Sequence, residues 1–440
     1  MYEEAIKCYD RALSINPKYA DVYYSKGIAL ENLGRHEEAI KCYDKPIELD
    51  PTCAKAYYGK GLALNSLKNH EAAIKCYDKA LGVNPKYVDV YYSKGLALKI
   101  LGMYEEAIEF YSKALEINPK YVNAYYSIGI ALDNMKKYEK AIKYYDKTIE
   151  LDPTYAAAYY NKGLSLENMK LYEEAIRYYD KTLEVNPRYK EVYFSKGTAL
   201  KSLKRYEEAI KYYEKAIECN PTSANPYYGK GLALDKLKRH EEAIKFYDKA
   251  LVIDPKYTDV YYSKGPALKN YDEAIKFYKK ALEIKPKYIN AYYSIGLALD
   301  SMKLYEESIK YYDKVIEIDP AFADAYYSKG LAYDNMQNYK EAIRCHEKAI
   351  ELDPRDARAY NGKGNALKEL QKYEEAIKSY DKAIEINPRF SSAYNNKGVT
   401  LYALRKYEEA LKCYEKAIEI DPSNTSAIFN KADVLKVLKK

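Results

Sequence analysis

Apolar residues along this chain fall three and four apart within short stretches, and the pattern of those stretches recurs every 34 residues. In the stretch Ala20 to Cys53, Tyr23, Gly27 and Leu30 share one helical face, and Ile40, Tyr43 and Ile47 share another. Gly34 separates the two, because glycine accepts the left-handed conformation that closes a helix. Asp50-Pro51 ends the second, since the residue before a proline is pushed out of helical space. Small residues, Gly27 and Ala39, stand where the two helices should cross closely. Glu37 and Lys41 illustrate pairs four apart on the second helix, each worth about 0.2–0.5 kcal/mol.

Proline marks the period. Pro17, Pro51, Pro85, Pro119, Pro153, Pro187, Pro221 and Pro255 are 34 apart; Pro286 follows after 31, and Pro320, Pro354, Pro388 and Pro422 resume the step of 34. Glycine repeats the beat from Gly27 to Gly265 and from Gly296 to Gly398. Such self-similarity predicts stacked two-helix units, each covering its neighbour's apolar face. The expected order is a half repeat at 1–19, twelve units over 20–424 and a closing helix at 425–440, making 26 helices. The chain starts and stops inside the pattern.

Three irregularities stand out. Pro46 occupies a column held elsewhere by Ala80 and Ala114 and is expected to disturb its helix. The unit at 258–288 lacks three residues at the end of its first helix, which also carries Pro266, so a kink or a late start is expected there. Ala54–Lys99 resembles Ala224–Lys269, five units on, as a duplicated block would.

The unit carrying Tyr91, Gly95, Leu98, Ala107, Tyr111, Ala114 and Pro119 resembles the tetratricopeptide repeat, and the same columns run through the whole chain. Two departures are systematic: Lys94 stands where that family usually has Leu, and Tyr replaces its Trp. The resemblance implies an all-α fold, a right-handed superhelical solenoid of stacked antiparallel helix pairs. It also implies that the first helices line a concave groove and that the last helix acts as a cap.

Composition sharpens this picture. The chain has 440 residues with 56 Tyr, 7 Phe and no Trp, so tyrosine rings fill the repeated aromatic slots. Its net charge of +7 is small beside 72 basic and 65 acidic residues, finely interspersed. That is a solvated surface without the basic stripe of a nucleic-acid binder, so no nucleic-acid partner is expected. Seven Cys, an odd number without a CxxC pair, argue against a disulfide framework or a zinc ribbon and for a reducing, cytoplasmic setting. No signal peptide opens the chain, and no apolar run reaches membrane-span length, so no membrane insertion is expected.

Reactive side chains fall into repeat columns. Cys8, Cys42, Cys76, Cys345 and Cys413 share one column with Tyr144, Tyr178, Phe110 and Phe246, as small hydrophobes would. His36, His70 and His240 take the column of Tyr104 and Tyr138, and His346 takes a Tyr column. No HExxH pattern and no complete phosphate loop is present; Gly59-Lys60-Gly61 is repeat consensus. Catalytic, cofactor and metal residues are therefore not assigned, and the chain reads as a non-enzyme.

The candidate site follows from the resemblance. In its groove lie Tyr24, Tyr58, Tyr92, Tyr126, Tyr160, Phe194, Tyr228, Tyr262, Tyr293 and Tyr327, then Asn361 and Asn395. Ile28, Leu62, Leu96, Ile130, Leu164, Leu297 and Leu331 accompany them one turn on, flanked by Asp21, Asp89, Asp259 and Asp324, with Lys55 and Arg358 as exceptions. Such a surface suits an extended peptide or an amphipathic helix of a partner protein. The opposing reading is that the rings only pack between neighbouring first helices.

Tyr fills the column where chaperone-binding members of the family carry their carboxylate-clamping Lys. The column Ser25, Gly59, Ser93, Ser127, Asn161, Ser195 mostly lacks the asparagine ladder of sugar-transferase members. The expected function is a protein-interaction scaffold or adaptor, with self-association through uncapped repeat ends a further expectation. The alternative is the substrate-recruiting arm of a larger enzyme such as a glycosyltransferase. An RNA-binding helical repeat ranks third, because the groove carries acids.

Overall fold

The computed structural model describes residues 1–438, and among these it contains 26 α-helices and no strand. Tyr2–Ile15 is a lone second helix, and Thr425–Leu438 is a lone first helix. The twelve hairpins between them alternate a first helix such as Ala20–Asn32, of 13 residues, with a second such as His36–Leu49, of 14. The hairpins are gathered into two compact bodies, Met1–Pro221 and Thr222–Lys440.

The two helix types bury different amounts of themselves. A second helix such as Tyr104–Ile117 buries one stripe, Ala107, Tyr111 and Ala114, and leaves the rest to charged residues. A first helix such as Val88–Ile100 is covered on two sides and buries Val90, Ser93, Lys94, Gly95, Ala97 and Leu98. One ring per hairpin, a tyrosine in all but one, centres the packing. Tyr43 is 0 % exposed and is clasped between Gly27 of its own hairpin and Gly59 of the next. A Cβ at Gly27 would lie 2.6 Å from the Tyr43 ring, and one at Gly59 would lie 2.7 Å from it. No side chain fits at Gly27, and the same contact recurs at Gly61, Gly95 and Gly129, which explains the glycine period. Burying a ring of this size is worth about 1.5–3 kcal/mol over leaving it exposed.

Each first helix except Thr258–Ala267 and the closing Thr425–Leu438 ends in a left-handed turn. Gly34 has φ +73°; its amide bonds the Glu31 carbonyl, and the Arg35 amide bonds Leu30, each at 2.9 Å. Gly102 does the same at +80°. Elsewhere this position holds a lysine, glutamine or arginine at positive φ, such as Lys136 at 58° and Lys170 at 64°.

The irregular positions resolve as follows. The helix His36–Leu49 keeps its 14 residues despite Pro46, whose ring is buried and whose carbonyl still accepts from the Asp50 amide at 2.8 Å. The proline forfeits its own amide bond to the Cys42 carbonyl, yet the helix continues one further turn beyond it. The helix Thr258–Ala267 begins in the usual register and stops early, at 10 residues, so the expected late start is not what happens. Leu268 is extended at φ −82°, ψ 138°, and no left-handed turn follows it. All seven cysteines are free; Cys42 and Cys345 are buried, whereas Cys8 is exposed.

Candidate interaction face

The face presented by successive first helices is built from residues 34 apart, or 31 across the short repeat from Tyr262 to Tyr293. In the body Met1–Pro221, Tyr24, Tyr58, Tyr92, Tyr126, Tyr160 and Phe194 are all half-buried. In the other body, Tyr228, Tyr262, Tyr293, Tyr327 and Asn361 are half-buried, and Asn395 is 9 % exposed. Asp21, Asp89 and Asp259 are exposed beside them, and Asp324 is half-buried. Ile28 and Leu297 are exposed at 41 % and 42 %.

Each ring of the column is held from several sides. Tyr58 lies 6.1 Å, centroid to centroid, from the core ring of Tyr77 and 5.1 Å from Tyr87 in the following interhelical loop. Tyr92 is set in the same way against Tyr111 and Tyr121, and Tyr126 against Tyr145 and Tyr155. The hydroxyls reach across to the next first helix. Tyr58 Oη and Ser93 Oγ are 3.2 Å apart, and Tyr160 Oη and Ser195 Oγ are 3.0 Å apart. Asn161 Nδ2 donates to Tyr126 Oη at 2.7 Å. The serine column is therefore the hydroxyl partner of the tyrosine column, 35 residues on.

The loop tyrosines add a third layer. Tyr121 donates to the Asp89 carboxylate at 3.2 Å, and Tyr288 donates to Asp259 at 3.2 Å. Arg358 replaces such an acid with a cation; it bonds Asp324 at 2.7 Å and lies 4.9 Å from the Tyr327 ring centroid. Where tyrosine gives way to asparagine, amides bond to amides. Asn396 Nδ2 donates to Asn361 at 3.1 Å and to Asn365 at 3.0 Å, and Asn430 Nδ2 donates to Asn395 at 3.0 Å.

Reading the columns on the first helices alone missed the loop tyrosines. Their signal was present two residues after the period-marking prolines, as in Pro85-Lys86-Tyr87 and Pro119-Lys120-Tyr121.

Behind this face four of the core tyrosines meet half-buried acids. Tyr43 donates to Glu31 at 2.8 Å and Tyr312 to Asp300 at 2.6 Å, and Tyr145 and Tyr179 bond Asp133 and Glu167 in the same way. Burial first, then the tyrosine bond in the opposite direction, leaves Glu31, Asp133 and Glu167 above the ordinary carboxylate range. Burial likewise raises the core hydroxyls, those of Tyr213 and Tyr278 to about 12, so they stay protonated donors at neutral pH. His346 takes the core tyrosine place in its hairpin: it is 0 % exposed, faces Gly330 and Gly362, and has Nε2 3.0 Å from Asp334.

The buried lysines account for the departure at position 94. Lys94 pairs with Asp78 of the preceding repeat and lies 4.0 Å from the Phe110 ring centroid. Lys60 pairs with Asp44 and Lys264 with Asp248, each at 2.6 Å. Each lysine reaches an acid 16 residues earlier. At the two places where the lysine is Ile, Ile128 and Ile295, the partner position is Ser112 or Lys279, and the acid has gone too.

These features, with a repeat of helical hairpins held by glycine–tyrosine contacts and tied helix to helix by side chains, define a helical-repeat protein. The chain belongs to the tetratricopeptide repeat family. Its family model matches eleven segments: 20–53, 54–87, 88–121, 122–155, 156–189, 191–223, 224–257, 289–322, 323–356, 357–390 and 391–424. A second model, described as TPR repeat, matches 1–34 and 267–303.

No match is found among curated proteins. Among solved structures, MamA shares 32 % identity over 34 % of this chain and 89 % of its own, with a TM-score of 0.34. YrrB, described as a TPR protein with an unusual peptide-binding site, shares 28 % over 41 % and 92 %, with a TM-score of 0.36. Yeast Tom70 shares 19 % over 96 % and 95 %, with a TM-score of 0.42. At these scores the superpositions carry no argument, and membership rests on the matched repeats. Among the described residues, no helix is long and apolar enough to cross a membrane.

Proposed function

We propose that this chain is a protein-interaction scaffold whose first-helix face receives an extended or helical segment of a partner protein. The carrying observation is the column from Tyr24 to Phe194: each ring is half-buried, and Tyr58, Tyr92 and Tyr126 are each packed against two other rings. A ring fixed in this way offers apolar area without losing further side-chain freedom when a partner arrives. Exposed Asp21 and Asp89 beside the column favour a segment carrying Lys or Arg among its apolar residues. Packing and binding are compatible roles for these residues, since each is only half-buried.

The test is selection of a random dodecapeptide library on the full chain. Enrichment of sequences with apolar anchors and basic residues, displaced by one another, supports the reading. A chain that enriches no peptide but binds single-stranded RNA with a steep salt dependence overturns it.

A further inference from the structure

The second helix Tyr271–Ile284 departs from its counterparts in charge. Lys279 stands in a column that is acidic in the other hairpins, Ser112 aside, as at Asp146, Asp180, Asp248 and Asp313. The position 16 residues on, which elsewhere supplies the pairing lysine, is Ile295, so the reversed charge meets no cation there. Lys285, just past the helix, stands in a column that is otherwise Asn or Asp. In that column the short side chain accepts from the amide two residues on: Asn84 from Lys86 at 3.1 Å, Asp254 from Lys256 at 2.9 Å and Asp319 from Ala321 at 3.0 Å. A lysine side chain carries no acceptor, so Lys285 forfeits this bond.

With Lys276, Lys280 and Lys287 these two make a run of five lysines over 276–287, where Glu283 is the single acid. All five are exposed, and among the described residues none of them forms an ion pair. The hairpin five units earlier shows the contrast. There Lys113, the counterpart of Lys280, bonds Glu109 at 2.6 Å, and the place of Glu109 is taken here by Lys276. Lys280 lies instead 5.5 Å from the Phe277 ring centroid. Like charges three and four apart weaken a helix, so Lys276 beside Lys279 and Lys280 does nothing for the stability of its own hairpin. Cations without an internal partner, turned to solvent on one element, are what an electrostatic docking surface requires.

We propose that the lysine run 276–287 is a docking stripe for an acidic segment of a partner protein, with several Asp or Glu in succession. It lies on a second helix and does not depend on the reading of the first-helix face. Carboxylates answer lysines of the same column elsewhere in the chain, as in Lys113–Glu109 and Lys314–Glu317, each at 2.6 Å. The helical part of the stripe, from Lys276 to Ile284, is about 12 Å long, which about four extended residues would span. Its width is one helix. The second helices of the preceding and following hairpins, His240–Ile253 and Tyr305–Ile318, carry Asp248 and Asp313 at the place of Lys279, with side chains 52 % and 50 % exposed. A narrow segment avoids these carboxylates. A broad polyanion, such as nucleic acid or an anionic membrane, would be brought against them.

The test measures binding of a fluorescein-labelled hexaglutamate peptide to the full chain by anisotropy at low ionic strength, where exposed charges are least screened. Saturable binding is expected, and Lys279→Asp with Lys285→Asn should weaken it at least ten-fold. Both substitutions install residues that other hairpins carry, so the variant is expected to fold. Lys285→Asn should raise the denaturation midpoint by restoring the bond to the Lys287 amide. Lys41→Glu with Lys79→Ser, at exposed positions of the other body, removes the same net charge and should change affinity less than two-fold. Absent binding, or an equal loss in the two double variants, overturns the proposal. Tighter binding of single-stranded oligothymidylate, or of vesicles containing phosphatidylserine, that is lost with Lys279 and Lys285 also overturns it.

Discussion

Lys94 and Asp78 meet across the seam between two repeats, 16 residues apart in sequence, with the ammonium also 4.0 Å from the Phe110 ring centroid. The lysine side chain is 11 % exposed and the aspartate 53 %. Removing only the acid leaves a buried cation short of its partner. Asp78→Ser is expected to destabilise by about 1–3 kcal/mol, discounted from the fully buried case because the carboxylate is half in water. The double change Asp78→Ser, Lys94→Ile should recover most of that loss, since Ser112 with Ile128 already stands at the same two positions. Urea denaturation of Asp78→Ser, Lys94→Ile and the double variant gives the coupling; strictly additive losses would contradict it.

The left-handed turns offer a second check. Lys136, Lys170 and Lys204 have φ of 58°, 64° and 61°, where a side chain is strained. At Gly34 and Gly102 a Cβ would meet nothing within 4 Å, so the effect of substitution there is conformational only. Each of Lys136→Gly and Lys170→Gly should stabilise by about 0.5–1 kcal/mol, and Gly34→Ala should destabilise by a similar amount. An unchanged denaturation midpoint for all three would refute this.

Glu167 gives a pH dependence of predictable sign. Burial lifts its pKa above 4.5, against the smaller opposing bond from Tyr179. The folded state thus holds this proton more tightly than the unfolded state. The charged form costs stability at neutral pH, and that cost fades as pH falls through the raised folded value towards 4.5. Glu167→Gln keeps an oxygen for Tyr179 and loses the charge. It is expected to match or exceed the parent in stability at pH 7, with the difference shrinking near pH 4.5. A variant that is less stable at pH 7 and relatively better in acid would reverse the sign and sink the argument.

Much of this architecture was legible before any coordinates, because Pro51, Gly27 and Tyr43 each do one job that no other residue type does as well. Proline stops a helix, glycine admits a ring, and the ring fills the gap. Lys94 was visible as an anomaly, but its reason lay on another repeat. The paired change to Ile128 with Ser112 becomes meaningful only once positions 16 apart are known to touch. The hydroxyl bonds from Tyr58 to Ser93 were hidden for the same reason: a spacing of 35 crosses two helices and matches no helical period. The left-handed lysines were not legible, since lysine carries no preference for that conformation and only the demand of the turn places it there. On the candidate face, the aromatic column was legible, and the loop rings that grip it, such as Tyr87 and Tyr121, were not picked out.

The short repeat should be the weakest link of its body. Its first helix has 10 residues, and Leu268 ends it in an extended conformation without the usual turn. Solenoid stability is a sum of local terms, so the loss stays local. Amides from Val260 to Ala274 should exchange earlier than those from Val90 to Ala107. Equal protection in the two stretches would show that packing compensates for the missing turn.

The central claim is that the first-helix tyrosine column binds a partner segment. It is tested most directly by the affinity of a library-selected dodecapeptide for the chain carrying Tyr126→Ala, Tyr160→Ala and Phe194→Ala, measured beside its denaturation curve. The account predicts at least a ten-fold loss of affinity, about 1.4 kcal/mol or more, in a variant that remains folded at the measuring temperature. Unchanged affinity in that folded variant would contradict it and leave these rings as packing alone.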